Sequence, residues 1–554
     1  MAPLDWVVLA VYLVGIVAFG MWAGRGSRGM NDFFLAGRNM RWWAIGLSVM
    51  ATQISAITFV GTTGQAYTDG MRFLVFYFGL PFAMVILCVT LVPFFYRARV
   101  FTAYEYLEQR FDARTRTLTS LLFLCGRGLS VGVTLYAPSL VLSVILGWTE
   151  TTTILIMGGS TIVYVVYGGN RSVIWTDVVQ MALIWFGIFL CFGLAIARLP
   201  ADVSMRDGLA MAQAAGRLNV MDTSLSLRTP YTLWSGLIGG LFVALAYFGT
   251  DQSQVQRYLA GSSLTQSRLS LLFNAFLKVP MQFLILLTGV LVFVYYHFQE
   301  PPPLWNAPVL ARVEREAPAE LAAIREKLGY ASWQRREAAK ALAADRARSV
   351  EYARAQRELD AVRAQAVALA RRVTGSDYND TNYIFPTYIL ATLRGGLAGL
   401  VIAVIFAAAM STLSGELNSL ATASMVDFYK RYLRPHASEA QDLFVSRVLT
   451  AVWGVFAVLV ALRARQLGSA IEVVNRFGSY VYGPILGVFM LAVLTRVPAW
   501  AAFTAILAGE AVVMTLAVTG AVHWLWLSVA GAVAVFACGL LLSPLRRRSA
   551  PAAA

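Results

Sequence analysis

Two stretches of this chain crowd hydroxyls, amides and small residues into otherwise apolar sequence. The first reads Ser48-Val49-Met50-Ala51-Thr52-Gln53-Ile54-Ser55-Ala56-Ile57-Thr58-Phe59-Val60-Gly61-Thr62-Thr63-Gly64. The second reads Ala407-Ala408-Ala409-Met410-Ser411-Thr412-Leu413-Ser414-Gly415-Glu416-Leu417-Asn418-Ser419, and places Ser411, Ser414 and Asn418 on one helix face. Serine, threonine and glycine ease the unwinding of a helix, which frees carbonyl oxygens. Inside a bilayer such unwinding is tolerated only where it lines a protein-buried cavity. Sodium, a hard cation, prefers neutral oxygens with at most one carboxylate. Carbonyls from a broken helix and hydroxyls from a facing one supply that set. The bland alternative for either stretch is tight helix packing, with hydroxyls bonded to their own helix.

Two charges belong with these stretches. Asp177, in Trp175-Thr176-Asp177, is an acid in or at the edge of an apolar run. Such acids are costly and usually functional, although a helix-start acid favoured by the macrodipole reads the same way. Arg127, in Leu124-Cys125-Gly126-Arg127-Gly128, is flanked by small residues. It could pair bidentately with a solute carboxylate, pair with a protein acid, or snorkel to the membrane edge.

The elements that would position these groups are membrane helices. Of 554 residues, 58% are hydrophobic and 14% charged, and mean hydropathy is +0.64. Soluble domains average roughly 25% charged. Apolar runs long enough to cross a bilayer predict an all-α integral membrane protein of about 13 transmembrane helices. They lie near 4–23, 43–67, 72–96, 118–147, 151–168, 174–197, 230–249, 269–298, 394–424, 443–463, 470–495, 499–518 and 522–545. The first run has Asp5 rather than a basic flank and no small-residue cleavage site, so it reads as a retained span. Arginine-rich connections at 24–42 and 97–117, the 425–442 segment and the tail with Arg546, Arg547 and Arg548 all fall on one side. The positive-inside rule makes that side cytoplasmic, with the N-terminus outside and the C-terminus cytoplasmic. Arginines at 198, 206, 217 and 228 oppose the rule, in a longer loop that also holds acids. The net charge of +15 follows from these loops and does not call for nucleic acid. The four cysteines lie in apolar runs, which argues against a disulfide framework.

Residues 301–380 divide the chain into a transporter portion at 1–300, an insertion, a second transporter portion at 381–545 and a tail at 546–554. Between 301 and 382 there are 14 Lys/Arg and 11 Asp/Glu. The 331–372 stretch lacks Pro and Gly and predicts one long polar helix, paired with a shorter one before Gly329. The span count places this insertion outside, either as a solvated hairpin or as an element that docks a partner or modulates a gate. The partner is unknown.

Several motifs together resemble the solute:sodium symporter family. They are the two oxygen-rich stretches, the second continuing to Val426-Asp427-Phe428-Tyr429-Lys430, and Tyr167-Gly168-Gly169-Asn170-Arg171-Ser172-Val173-Ile174-Trp175-Thr176-Asp177-Val178-Val179-Gln180. Tyr247-Phe248-Gly249-Thr250-Asp251-Gln252, Gln256-Arg257-Tyr258-Leu259 and Leu135-Tyr136-Ala137-Pro138 are similar to the branch carrying monocarboxylates and similar small anions. The resemblance implies a LeuT-type core of two inverted five-helix repeats, spans two to six and seven to eleven, with the site near the midplane. It also implies a main Na+ site made by the carbonyls of Ala51, Ile54 and Ala408 and the hydroxyls of Ser411 and Thr412. Some members hold a further sodium with the acid matching Asp177 and hydroxyls around Ser411, Ser414 and the next residue, which here is Gly415. The substrate positions it implies are Gln53, Ser55, Thr58, Phe76, Tyr77, Arg127 and Tyr247. Sugar carriers of the family have a glutamate where Tyr77 stands, and proline carriers an aspartate where Gln53 stands. Lys278 matches a position that some sugar carriers use.

The expected function is therefore sodium-coupled symport of a small organic solute, an anion such as a carboxylate, across the cell membrane. A carrier of a neutral sugar, polyol or amino acid and a transporter-like sensor remain alternatives. A channel would show a filter-like repeat or a ring of charge, and neither is present. No GxxxxGK[ST] or HExxH occurs, so ATP hydrolysis and zinc proteolysis lack machinery and the chain does not read as an enzyme.

Overall fold

A computed structural model describes the chain except residues 202, 376–377, 394, 465–469 and 544–554, and leaves aside the side chains of 470–477. The tail arginines at 546–548 therefore lie outside the described residues. Among the described residues the architecture is helical throughout. Among the described residues, nine helices are long and apolar enough to cross a membrane. Two further apolar helices, Ser235–Thr250 and Gly478–Leu494, are shorter, the expected fifth and sixth spans are fused, and the second is broken; residue 394 and residues 544–545 of the expected spans lie outside the described residues.

The second span is two helices, Trp42–Gln53 and Ala56–Asp69, separated at Ile54 (φ −92°, ψ 86°). Ser55 starts the second half by accepting a hydrogen bond from the Thr58 amide at 3.2 Å. That cap takes the amide which would otherwise bond the Ile54 carbonyl. Spans five and six form one continuous run, Glu150–Ala197, folded back at Gly169 (φ 56°, ψ −149°). A Cβ there would enter the Phe33 carbonyl, so only glycine fits. The seventh span ends at Thr250 and Asp251 is extended (φ −79°, ψ 122°), after which Gln252–Leu259 resumes as a short helix. Each repeat thus begins with an interrupted helix, as inverted repeats of the LeuT type require.

The ninth span, Leu397–Ala423, is the central pillar. It is buried along nearly its whole length and packs against the fourth span, the first half of the second and the fifth–sixth run. Asp5 accepts a hydrogen bond from the Gly399 amide at 2.9 Å and ties the first span to this pillar. At the other end Asp427 accepts from Thr102 (2.8 Å), Arg116 (2.7 Å) and Ser120 (2.8 Å), which locks the pillar to the fourth span.

The insertion departs from expectation in detail. Its helices are Ala307–Glu316, Pro318–Ala344 and Ser349–Thr374. The predicted long helix is broken because the Asp345 carboxylate accepts the Ala347 amide at 3.0 Å, a local bond that competes with helix. Gly329 lies inside a helix instead of ending one, a cost of about 1 kcal/mol that packing can absorb. Arg335 donates to the Tyr296 carbonyl at 2.5 Å and Tyr352 bonds His297, so the insertion sits on the end of the eighth span.

Candidate functional site

The break in the second span and the facing pillar bring together four of the five sodium-site atoms expected from the sequence. Ser411 Oγ lies 3.0 Å from the Ala51 carbonyl and 3.1 Å from the Ala408 carbonyl. Thr412 Oγ1 lies 3.1 Å from the Ala408 carbonyl and 3.1 Å from the Thr52 carbonyl. The fifth, the Ile54 carbonyl, is at the break itself and is released from helix bonding by the Ser55 cap. All these residues are buried. The set is neutral and oxygen-only, which suits a hard monovalent cation once the two hydroxyl hydrogens turn outward.

Next to it opens a cavity of about 230 Å³. All seven expected substrate residues line it: Gln53, Ser55, Thr58, Phe76, Tyr77, Arg127 and Tyr247. Ser55 and Thr58 hydroxyls lie 3.2 Å apart at the start of the half-helix. Gln53 Oε1 is buried without a hydrogen-bond partner. Phe76 and Tyr77 meet edge to face at 4.9 Å and form one wall. Tyr247 and Tyr482 flank Arg127, with ring centroids 5.6 Å and 5.8 Å from the guanidinium carbon.

Arg127 is not a lone charge. Its Nη1 donates to Glu416 Oε1 at 2.8 Å, and its Nη2 bonds both Asp251 and the Tyr482 hydroxyl. Of the open readings, pairing with protein acids is the one found, because an unpaired charge at this depth is costly. Glu416, an acid inside the apolar ninth span, carries a signal that could have singled it out, whereas Asp251 follows the end of the seventh span and has no such local mark. Trp524 and Tyr231 also line the cavity. They come from distant parts of the chain, and no local pattern marks them. Lys278 is buried with Nζ unpartnered, 5.3 Å from the Tyr77 ring centroid.

Asp177 and Ser414 lie near the pillar but make separate bonds. Ser48 Oγ donates to Asp177 Oδ2 at 2.6 Å, and Arg257 Nη2 lies 3.4 Å from the same oxygen. Ser414 Oγ donates to the Ser411 carbonyl at 2.9 Å. Gly128-Leu129-Ser130-Val131-Gly132 matches the GxSxG pattern of serine hydrolases, yet it runs inside the continuous helix Ala113–Leu146. The hydrolase elbow needs a strand-to-helix turn, so this match carries no catalytic meaning.

Comparison with known proteins agrees with this geometry. A family model described as "Sodium:solute symporter family" matches residues 33–301 and 360–509, leaving 302–359 unmatched. The chain is 27% identical over 549 residues to the sodium/sialic acid symporter of Proteus mirabilis, covering 98% of this chain and 95% of that one. It is 27% identical over 499 residues to human sodium-coupled monocarboxylate transporter 1, covering 88% and 69%. A solved substrate-bound, outward-open structure of a Na+-coupled sialic acid symporter superposes with a TM-score of 0.79 at 26% identity, covering 99% of each chain. Its helical architecture and these matches make this chain a member of the sodium:solute symporter family, a multi-pass membrane carrier with sodium as its coupling ion.

Proposed function

We propose that this symporter carries a small organic carboxylate together with sodium. The reading is supported above all by the neutral oxygen cluster of Ala51, Ile54, Ala408, Ser411 and Thr412 opening beside a cavity that contains Arg127. Sodium binds the cluster, and Gln53, Ser55, Thr58, Phe76, Tyr77, Arg127 and Tyr247 hold the solute. A cavity of about 230 Å³ suits a small solute, below the roughly 300–1,000 Å³ of drug-sized sites. Arg127, held by Glu416 and Asp251, places a guanidinium in the cavity that a carboxylate can pair with. The relatives named above carry sialic acid and monocarboxylates by name, which agrees.

In this reading Glu416 holds the arm of Arg127 that a solute carboxylate takes over. A neutral polyol is the second reading, favoured by the fact that Arg127 already has two acid partners. The topology proposed is N-terminus outside and C-terminus cytoplasmic, with the 301–380 insertion extracellular. The test is a thermal-shift screen of carboxylates, sugars and amino acids with and without sodium, followed by calorimetry on the best hit. Arg127→Gln should abolish binding of a carboxylate hit, and Glu416→Gln should tighten it by removing the competitor. A sugar or polyol as the sole sodium-dependent hit, bound equally by Glu416→Gln, would favour the second reading.

A further inference from the structure

Arg217, one of the loop arginines that oppose the positive-inside rule, is held by both its backbone and its side chain. Its carbonyl accepts the Met71 amide at 2.9 Å. Gly70, at a left-handed φ of 78°, lets the two segments meet, since a Cβ there would lie 2.3 Å from the Arg217 oxygen. The segment stapled in this way, Gly70–Tyr77, carries Phe73, Phe76 and Tyr77 into the cavity wall. Phe73 there meets Tyr231 at 5.1 Å, and Phe76 meets Trp524 at 5.7 Å. The Arg217 guanidinium lies over the Phe293 ring of the eighth span, 5.1 Å from its centroid, and Nη2 reaches Asp360 of the insertion at 3.6 Å. A second insertion residue, Arg346, pairs with Asp207 on the helix Met205–Ala214 just before Arg217. Arg335 and Tyr352 fix the insertion itself to the end of the eighth span. The insertion thus grips the 205–217 loop by two ion pairs, and that loop grips the cavity wall by its backbone. Residues 302–359 fall outside the family match, so most of this grip is not part of the shared family pattern.

We infer that the insertion is a latch on solute entry: Asp360, through Arg217, holds the Phe73–Tyr77 wall of the cavity and slows its opening to the outside. The inference rests on the proposed extracellular placement of the insertion and on the cavity as the solute site. A wall that swings to admit solute carries the Gly70–Tyr77 backbone with it. Arg217 follows, because the Met71 bond and the close contact at Gly70 leave no slack. The Arg217–Asp360 pair then has to lengthen, and it re-forms once the wall returns, with or without solute. It therefore sets the rates of entry and exit alike and leaves affinity in place. Arg217 is a positioning residue that touches no solute.

The test is the rate at which a cysteine in the cavity reacts with methanethiosulfonate ethyltrimethylammonium, a membrane-impermeant thiol reagent, added outside cells expressing the chain. The reporter is Ala244→Cys, at a position that lines the cavity, read by peptide mass spectrometry at that residue. Melting curves of the purified variants check folding. Arg217→Gln and Asp360→Asn should each raise the rate roughly two- to fivefold, the scale of one partly exposed ion pair. Together they should raise it no further than either alone, because both break the same contact. Arg217→Lys, which keeps the charge, should stay near wild type. With 307–374 replaced by a Gly/Ser linker the rate should rise too, and Arg217→Gln should then add nothing. Additive effects of the two single variants, or a rate unchanged by both and by the linker variant, would overturn the latch. A reporter that reacts only in inverted vesicles would overturn it together with the proposed topology. Should Arg217→Gln fail to fold, Asp360→Asn and the linker variant decide. The readout uses neither solute nor a sodium gradient, so the carboxylate reading stands or falls separately.

Discussion

Ser411 and Thr412 bring side-chain oxygens to the cluster where the second span breaks. Replacing either with alanine removes one oxygen from a shell that has no carboxylate to compensate. By analogy with the loss of a buried hydrogen-bond partner, each should cost about 1–3 kcal/mol of sodium affinity. The half-saturating sodium concentration for uptake should rise several-fold or more, while solute affinity at saturating sodium changes little. Sodium titrations of uptake check this, and unchanged sodium dependence in both variants would remove these hydroxyls from the site. At Arg127 the expected order is wild type, then Lys, then Gln for carboxylate affinity, because lysine keeps the charge but loses the planar fork. Breaking a buried ion pair typically costs about 3–5 kcal/mol of stability, so calorimetry on Arg127 variants needs a melting curve beside it. At this scale much was legible in the sequence. The hydroxyl and amide positions were readable because polar residues are conspicuous in an apolar helix. What Arg127 pairs with was not readable, since Asp251 and Glu416 lie far from it along the chain and meet it only through the fold.

Helices and their joints carry a second set of expectations. Gly169 sits at a left-handed φ of 56° against the Phe33 carbonyl. A left-handed backbone costs an L-residue roughly 1–2 kcal/mol before any clash is counted. Gly169→Ala should therefore lower the melting temperature clearly, and an unchanged melting temperature would contradict the assignment of that joint. Motif residues that had no obvious chemistry turn out to be fasteners. Gln252 spans Ala103 N at 3.0 Å and Phe101 O at 2.8 Å, and Gln256 reaches Phe34 O at 2.6 Å. The insertion was legible as a charged helical segment, but its break at Asp345 was not, because an aspartate within a good helical pattern reads equally well as solvated surface. Replacing 307–374 with a Gly/Ser linker, keeping Trp305 and Asp380, which bond at 2.7 Å, should lower stability by uncovering His297 and Tyr296. Sodium-dependent solute affinity should survive. A folded deletion variant that binds no solute would make the insertion part of the transport machinery.

Across the whole molecule, hydropathy was enough to predict an all-helical membrane protein, because burying apolar helices in lipid leaves little freedom. Which spans fuse, break or shorten was set by single residues such as Ile54, Gly169 and Asp251, below the resolution of a hydropathy window. The interrupted second span and the central pillar set the proposed sodium cluster beside the proposed solute cavity, with Thr412 belonging to both. Sodium and solute should therefore bind with mutual reinforcement, each raising the affinity of the other by the same factor. The most direct test is uptake into proteoliposomes under an imposed inward sodium gradient, using the carboxylate found by thermal shift. The account predicts accumulation above the outside concentration, collapse of that accumulation when the sodium gradient is dissipated, and only background uptake when choline replaces sodium. Equal uptake in choline and sodium media would contradict it.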